Sequence, residues 1–204
     1  MDVQQQVKEI KQSFRQMMDG SVAQSMRQKG VDYHLNWGAT LPRLREKADS
    51  LGPNYDLAIA LWKENVRECK ILATMIMPPD EVLPEVIDIW MEQIPNQEIA
   101  EQAAFNLFQY LSFAADRAYT WMASEKELYQ LCGFHILTRL FMNGQEPNER
   151  GINEFVDQAI VSLQGESLPV RKAAMACISR FAELGLVYER IAKSALKQAN
   201  LDFL

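Results

Sequence analysis

Four segments of this chain follow one template. They read "VRECKILATMI" from Val66, "IAEQAAFNLFQ" from Ile99, "LYQLCGFHILT" from Leu128 and "VRKAAMACISR" from Val170, with starts 33, 29 and 42 residues apart. Each begins with an aliphatic residue and is rich in small residues in its middle. Each also follows an upstream helical pattern that ends in "LW", "IW", "TW" or "SL". A helix pair of this kind cannot bury its apolar face alone, and stacking it on the next pair solves that problem. Ala73, Ala103, Ala104, Gly133, Ala173 and Ala174 supply the small side chains that let neighbouring helices approach closely.

Apolar residues recur with a period of 3.6 along nearly the whole length, and the β-branched alternation of a strand is missing, so the class is all-α. The pattern predicts helices over 2–18, 20–29, 40–51, 54–64, 66–77, 80–92, 97–113, 115–122, 125–142, 150–164, 168–184 and 187–198. Proline and glycine cluster between them, in "LGPN", "MPPDE", "IPNQ", "NGQEPNERG" and "QGESLP". Helix pairs joined by short turns build either a bundle or a solenoid, and the internal similarity selects the second. The expectation is a HEAT-like helical-repeat solenoid, an α-α superhelix, forming one domain over residues 1–204.

Hydrophobic residues make up 48% of the chain and charged residues 24%, which is enough to build a large core and argues against disorder. No apolar run reaches the roughly 18–20 residues of a membrane span, and "MDVQQQVKEIKQ" lacks a signal pattern. A cytoplasmic protein without membrane contact is therefore expected. Cys69, Cys132 and Cys177 are widely spaced within apolar helical patterns, and the histidines are only His34 and His135. That is neither a disulfide framework nor a metal spacing, so buried inert thiols and no metal or other cofactor are expected. Trp62, Trp90 and Trp121 recur at the ends of the upstream helices, in the register of inter-repeat packing; an aromatic wall for a base is the rival reading. Met75, Met77, Met91, Met122 and Met142 read as core filler.

The net charge of −6 argues against a globally steered nucleic-acid binder, but its distribution says more. Residues 1–78 hold 11 basic and 9 acidic side chains and residues 168–204 hold 6 and 3, whereas residues 79–130 hold 2 and 10. A polyanion would prefer the two ends.

The stretch over residues 38–77, "GATLPRLREKADSLGPNYDLAIALWKENVRECKILATMIM", resembles the AlkD-type DNA alkylation repair family. Its G-x-x-x-P-x-L-R start is carried here by Gly38, Pro42, Leu44 and Arg45, and its L-W-x-x-x-x-x-E-x-x-x-L-A run by Leu61, Trp62, Glu68, Leu72 and Ala73. The resemblance implies a HEAT-like solenoid with a groove for duplex DNA, in glycosylases that excise cationic alkylated purines. In those enzymes a Trp-x-x-x-Asp pair opens one helix: the carboxylate stabilises positive charge developing on the sugar, and the indole walls the sugar and excludes water. The pair falls at "NQEIAEQ", where this chain has Gln97 and Glu101. Glu101 keeps a charge one methylene farther out, and Gln97 offers no aromatic face. An arginine that the resemblance places in the next repeat falls near Leu131, and a further tryptophan near Ala176.

A divergent member of that family is therefore expected, one that binds duplex or branched DNA with its catalytic positions degenerate. Glu101 is the one candidate catalytic residue. Two alternatives stand beside this reading: a weak alkylpurine DNA glycosylase using Glu101, and a scaffold for a protein partner that kept the repeats without DNA. Arg43, Arg45, Arg67, Lys70, Arg171, Lys172 and Arg180 are the candidate phosphate contacts, with exposed solubilising charge as the rival reading. In the same stretch Asn96 reads as an N-cap and Glu98 as an acid that complements the helix dipole, with no chemistry required. Past residue 101 a single helix would set Gln102, Phe105, Gln109 and Ser112 on Glu101's stripe. His34, in "VDYHLNWG", reads as a packing histidine. No phosphate loop, H-E-x-x-H or G-x-S-x-G element is present.

Overall fold

The computed structural model describes residues 2–31 and 33–201. Among them are twelve α-helices and, apart from an isolated bridge between Leu35 and Val66, no strand. The chain divides into two compact units, Met1–Leu107 and Phe108–Leu204.

The first unit holds α1 (Val3–Phe14), α2 (Gly20–Gln28), α3 (Leu41–Leu51), α4 (Tyr55–Lys63), α5 (Arg67–Ile76), α6 (Pro84–Glu92) and α7 (Gln97–Asn106). Here α4 packs on α5, α5 on α7, α3 on α5 and α1 on α4. The second unit holds α8 (Ala114–Met122), α9 (Glu127–Met142), α10 (Glu149–Gln164), α11 (Leu168–Ala182) and α12 (Leu186–Gln198). Within it α8 packs on α9, α9 on α11, α10 on α11 and α11 on α12. The four template segments are thus α5, α7, α9 and α11, and within each unit one such helix lies against the next. That is the HEAT-like arrangement the recurrence predicts.

Local chemistry sets the helix ends. Asn54, Asn96 and Asn148 each accept a hydrogen bond from the backbone N–H three residues on, at 3.0, 3.1 and 2.8 Å, and Ser167 does the same for Val170 at 3.3 Å. Three predicted helices are shorter than their periodicity suggests; over 2–18 the α-helix ends at Phe14 and Arg15–Met17 forms a 3-10 turn. Over 80–92 the α-helix starts only at Pro84, because a proline ring disfavours helical backbone at the residue before it, and Pro79–Glu81 forms a separate 3-10 turn. Over 97–113 the helix stops at Asn106, whose side chain donates to Thr74 on α5 at 3.0 Å and to Gln102 at 3.2 Å. Leu107 then leaves the helical region at φ −132°, and Phe108–Tyr110 continues as a 3-10 turn. The stripe expected to run on from Glu101 ends there: Gln109 is buried and Tyr110 exposed, the reverse of what an unbroken helix would give.

The recurring tryptophans are packing residues. Trp62 and Trp90 stack at 4.2 Å between centroids and 4° between planes, and Trp62 Nε1–H donates to Gln93 at 2.9 Å. Trp121 is wedged between Phe108 and Tyr129. Phe141, Phe155 and Phe181 form the aromatic heart of the second unit, with centroids 5.0–5.6 Å apart. Met77, Met91 and Met122 are buried as expected, whereas Met142 is half exposed. The three thiols are buried, and burial pushes Cys69 and Cys177 up to about 12, so they stay protonated and inert.

Gly133 marks the tightest helix contact. A Cβ on it would lie 2.4 Å from the Met122 backbone nitrogen and 2.7 Å from the Ala118 carbonyl oxygen, so α8 and α9 touch there backbone to backbone. Alanine is the better helix former by about 1 kcal/mol, but here it must push the helices apart. Gly133→Ala is expected to lower stability by about 1–3 kcal/mol, read as a fall in Tm; an unchanged or higher Tm would refute the close approach.

Candidate functional site

The first unit is organised around three charged side chains. Arg67 is 1% exposed and Glu68 0%, an unusual burial for either residue type. The Glu68 carboxylate accepts from the backbone N–H groups of Trp37, at 3.1 and 3.2 Å, and of Ala39, at 3.2 Å. It thereby fixes the segment ahead of α3. Gly38 sits between those two residues at φ +73°, and a Cβ there would lie 2.1 Å from the Asp19 carbonyl oxygen. The G-x-x-x-P start and the glutamate of the following run are therefore two halves of one contact.

Arg67 faces the other way. Its Nη2 meets Glu98 Oε1 at 2.6 Å and its Nε meets Oε2 at 2.9 Å, a two-pronged pair that ties α5 to α7. Its Nη1 donates to the Ala39 carbonyl at 2.9 Å and lies 3.3 Å from Glu68. Burial opposes the guanidinium's charge, but the hydrogen bonds to Glu98 and the fields of both carboxylates outweigh it and hold Arg67 above the usual arginine range. The Tyr33 hydroxyl closes the cluster by donating to Glu98, with Asn96 at 3.2 Å. Burial first, and the Glu98 charge second, push Tyr33 well above the usual tyrosine range, so it remains a donor.

Several expectations change here. Glu98 is more than the acidic first turn of a helix, since it holds a buried cation. Arg67 and Lys70 do not face solvent. Lys70 is 8% exposed, donates to the Trp62 carbonyl at 2.8 Å and lies 4.5 Å over the Trp62 ring. It satisfies one of the last carbonyls of α4, while burial lowers its pKa. Neither side chain can meet a phosphate unless the cluster opens. His34 is exposed and does not pack in the core.

Glu101 lies one turn beyond Glu98 on the partly exposed face of α7 and accepts from Gln97 Nε2 at 2.9 Å. The carboxylate is thus paired with an amide of its own helix, from the residue at which the resemblance puts a tryptophan. Leu131 is fully buried and Ala176 exposed, and neither can supply a guanidinium or an indole. Arg43 and Arg45 are exposed on α3, with Arg45 held by Asn106 at 2.8 Å and lying 6.0 Å from the Phe105 ring. In the second unit Arg171 and Lys172 are exposed at the start of α11, and Arg180 pairs with Glu183 at 2.6 Å. No group of His, Cys, Asp and Glu able to hold a metal occurs among the described residues, and no helix among them is long and apolar enough to cross a membrane.

The sequence matches the model of the DNA alkylation repair enzyme family over residues 10–180. The chain belongs to that family. No curated protein matches it significantly. A solved structure described as "a new family of proteins related to the HEAT-like repeat DNA glycosylases with affinity for branched DNA structures" is similar at a TM-score of 0.84 and 16% identity, covering 94% of this chain and 82% of the other. In this family member the links between repeats had a sequence signal that periodicity alone does not reveal. Trp62 to Gln93 and Arg67 to Glu98 span 31 residues and Thr74 to Asn106 spans 32, so complementary polar side chains recur one repeat apart.

Glu98→Ala would leave the Arg67 guanidinium buried without its main partner, and is expected to cost about 3–5 kcal/mol in denaturant unfolding. Glu101→Gln, on the open face, should stay within about 0.5 kcal/mol. Equal effects of the two substitutions would contradict this placement.

Proposed function

We propose that this protein binds DNA, with a preference for branched over plain duplex forms, and does not excise bases. The observation that carries the reading is where the chain puts cations at helix starts. Acidic side chains are favoured in a first turn because they face the positive end of the helix dipole, and α4 to α10 and α12 all carry one there. In α1 and α2 uncharged residues take that place. Two helices put a cation there instead, with nearly the same words: α3 opens "LPRLR" and α11 opens "LPVRK", with no acid in the first turn. Arg43 and Arg171 thus add charge in the first turn, where helix stability opposes it and where backbone N–H groups and the dipole favour a phosphate, and Arg45 and Lys172 follow as the fifth residue of each helix. All four are exposed, so they take over the phosphate role expected of Arg67 and Lys70. Arg180 is partly neutralised by Glu183 and contributes less. Family membership and the branched-DNA affinity described for the similar structure support the same ligand.

The pairing of Gln97 with Glu101 supports the absence of excision. Losing one preorganised group of the kind that steadies a developing sugar cation costs on the order of a hundredfold in rate, and here the aromatic partner is replaced by an amide. Release of N7- or N3-alkylated purines should not exceed the background; robust release abolished by Glu101→Gln would restore the glycosylase reading.

For binding, affinity for a three- or four-way junction should fall as salt rises. Replacing Arg43, Arg45, Arg171 and Lys172 together by Ala should abolish binding, or flatten the salt slope by about 0.9 for each phosphate that is no longer neutralised. Lys70→Met should leave DNA affinity unchanged while costing about 1–3 kcal/mol of stability for its charged hydrogen bond. If the wild-type protein does not bind at low salt, a scaffold for a protein partner becomes the better reading.

A further inference from the structure

A cavity of about 400 Å³ lies in the first unit, between α1, the segment ahead of α3 and the end of α4, and no part of the DNA reading uses it. Its size falls within the roughly 300–1,000 Å³ of small-molecule sites. One stripe of α1 and the 3-10 turn that follows it lines the cavity: Val7 is buried, and Lys8, Lys11 and Arg15 follow at helical spacing. The three cations, seven helical steps from first to last, span about 10 Å. The opposite wall is Leu35 and Trp37, with Glu64 at the rim.

The two walls are unequal in chemistry and both are fixed. Trp37 is held at both backbone ends, its N–H by Glu68 and its carbonyl by the Asp19 N–H at 3.0 Å, which fixes the main chain that carries its ring. The Arg15 guanidinium lies 5.9 Å from that ring. Glu64 is engaged by Lys11 at 2.5 Å, which leaves Lys8 and Arg15 as the net positive charge of the cavity. The Trp37 indole N–H is buried and has no hydrogen-bond acceptor among the described residues. A buried donor in that state is costly, and such groups normally find a partner.

We infer that this cavity is a binding site for a nucleoside monophosphate, with the phosphate held by Lys8 and Arg15 and the base laid against Trp37. Arginine over an indole suits both halves of such a ligand, since the cation pairs with phosphate and indole rings stack on bases. The Glu64 carboxylate is oriented by Lys11 and can accept from an amino or hydroxyl group of the base or sugar. The same chemistry is offered by a free nucleotide and by the 5′-phosphorylated end of a DNA strand.

The full-length protein should be titrated with dAMP at low salt, following tryptophan emission and, independently, heat. A saturable response is expected for dAMP and none for deoxyadenosine, which lacks the phosphate. Trp37→Phe should remove the emission change but leave the calorimetric signal, because Trp62, Trp90 and Trp121 are buried elsewhere. The double substitution Lys8→Ala and Arg15→Ala, at exposed positions, should weaken binding about tenfold or more with an unchanged Tm. Junctions with 5′-phosphate or 5′-hydroxyl ends separate the two sources. A preference for the phosphorylated end that the double variant loses assigns the pocket to a strand terminus; equal binding of both ends alongside dAMP binding assigns it to a free nucleotide. No saturable heat with dAMP, or identical binding by the double variant, overturns the site. Because the arginines of α3 and α11 remain intact in that variant, failure of the wild type to bind junctions and failure to bind dAMP are separate results.

Discussion

The ion cluster of Arg67, Glu68 and Glu98 is the constraint on which the first unit depends. A buried guanidinium between two carboxylates is weak evidence for net stability, because the desolvation of each charge opposes the attraction. Its value is in specifying geometry. Glu68 can satisfy its lone pairs only if Trp37 and Ala39 bring their N–H groups to it, and Arg67 can keep its charge only if α7 presents Glu98 at the right turn. Positions of the segment before α3 and of α5 and α7 that broke this arrangement would strand a charge in the core.

This constraint also separates the two kinds of cation that look alike in sequence. Arg45 and Arg67 both sit near the start of a helix, among leucines, alanines and other charges. One is exposed on α3 and the other is consumed by the fold. Because α3 packs on α5, the exposed arginines beside α5 are those of α3, and α5 keeps Arg67 and Lys70 for internal use. In the second unit the start of α11 stays open, and Arg171 and Lys172 remain exposed there.

The architecture was legible because HEAT-like packing leaves its mark in apolar periodicity, and the four template segments all proved to be helices. Gly133 was legible as a small residue, and the backbone approach gives that smallness its reason. The site was less so. Periodicity sorts a helix into buried and exposed faces by residue type, so it assigned Arg67, Lys70 and Glu98 to the outside, although complementary charges one repeat apart can pair across the interior. The stripe past Glu101 failed for a different reason: the polar links of Asn106 to Thr74, Gln102 and Arg45 accompany the end of the helix, and the register beyond it changes.

The same cluster bears on the order in which the chain folds. Helix pairs such as α4 with α5 or α8 with α9 form between neighbours in sequence and need little loop closure. By contrast, Arg67 reaches back 28 residues to Ala39, and Tyr33 reaches forward 65 to Glu98. Closing longer loops costs more chain entropy before any attraction offsets it, and folding slows as the pairings become less local. The first unit should therefore assemble its helix pairs early and its ionic cluster last. Its refolding would then be limited by the arrival of the segment ahead of α3, a step that the second unit does not share.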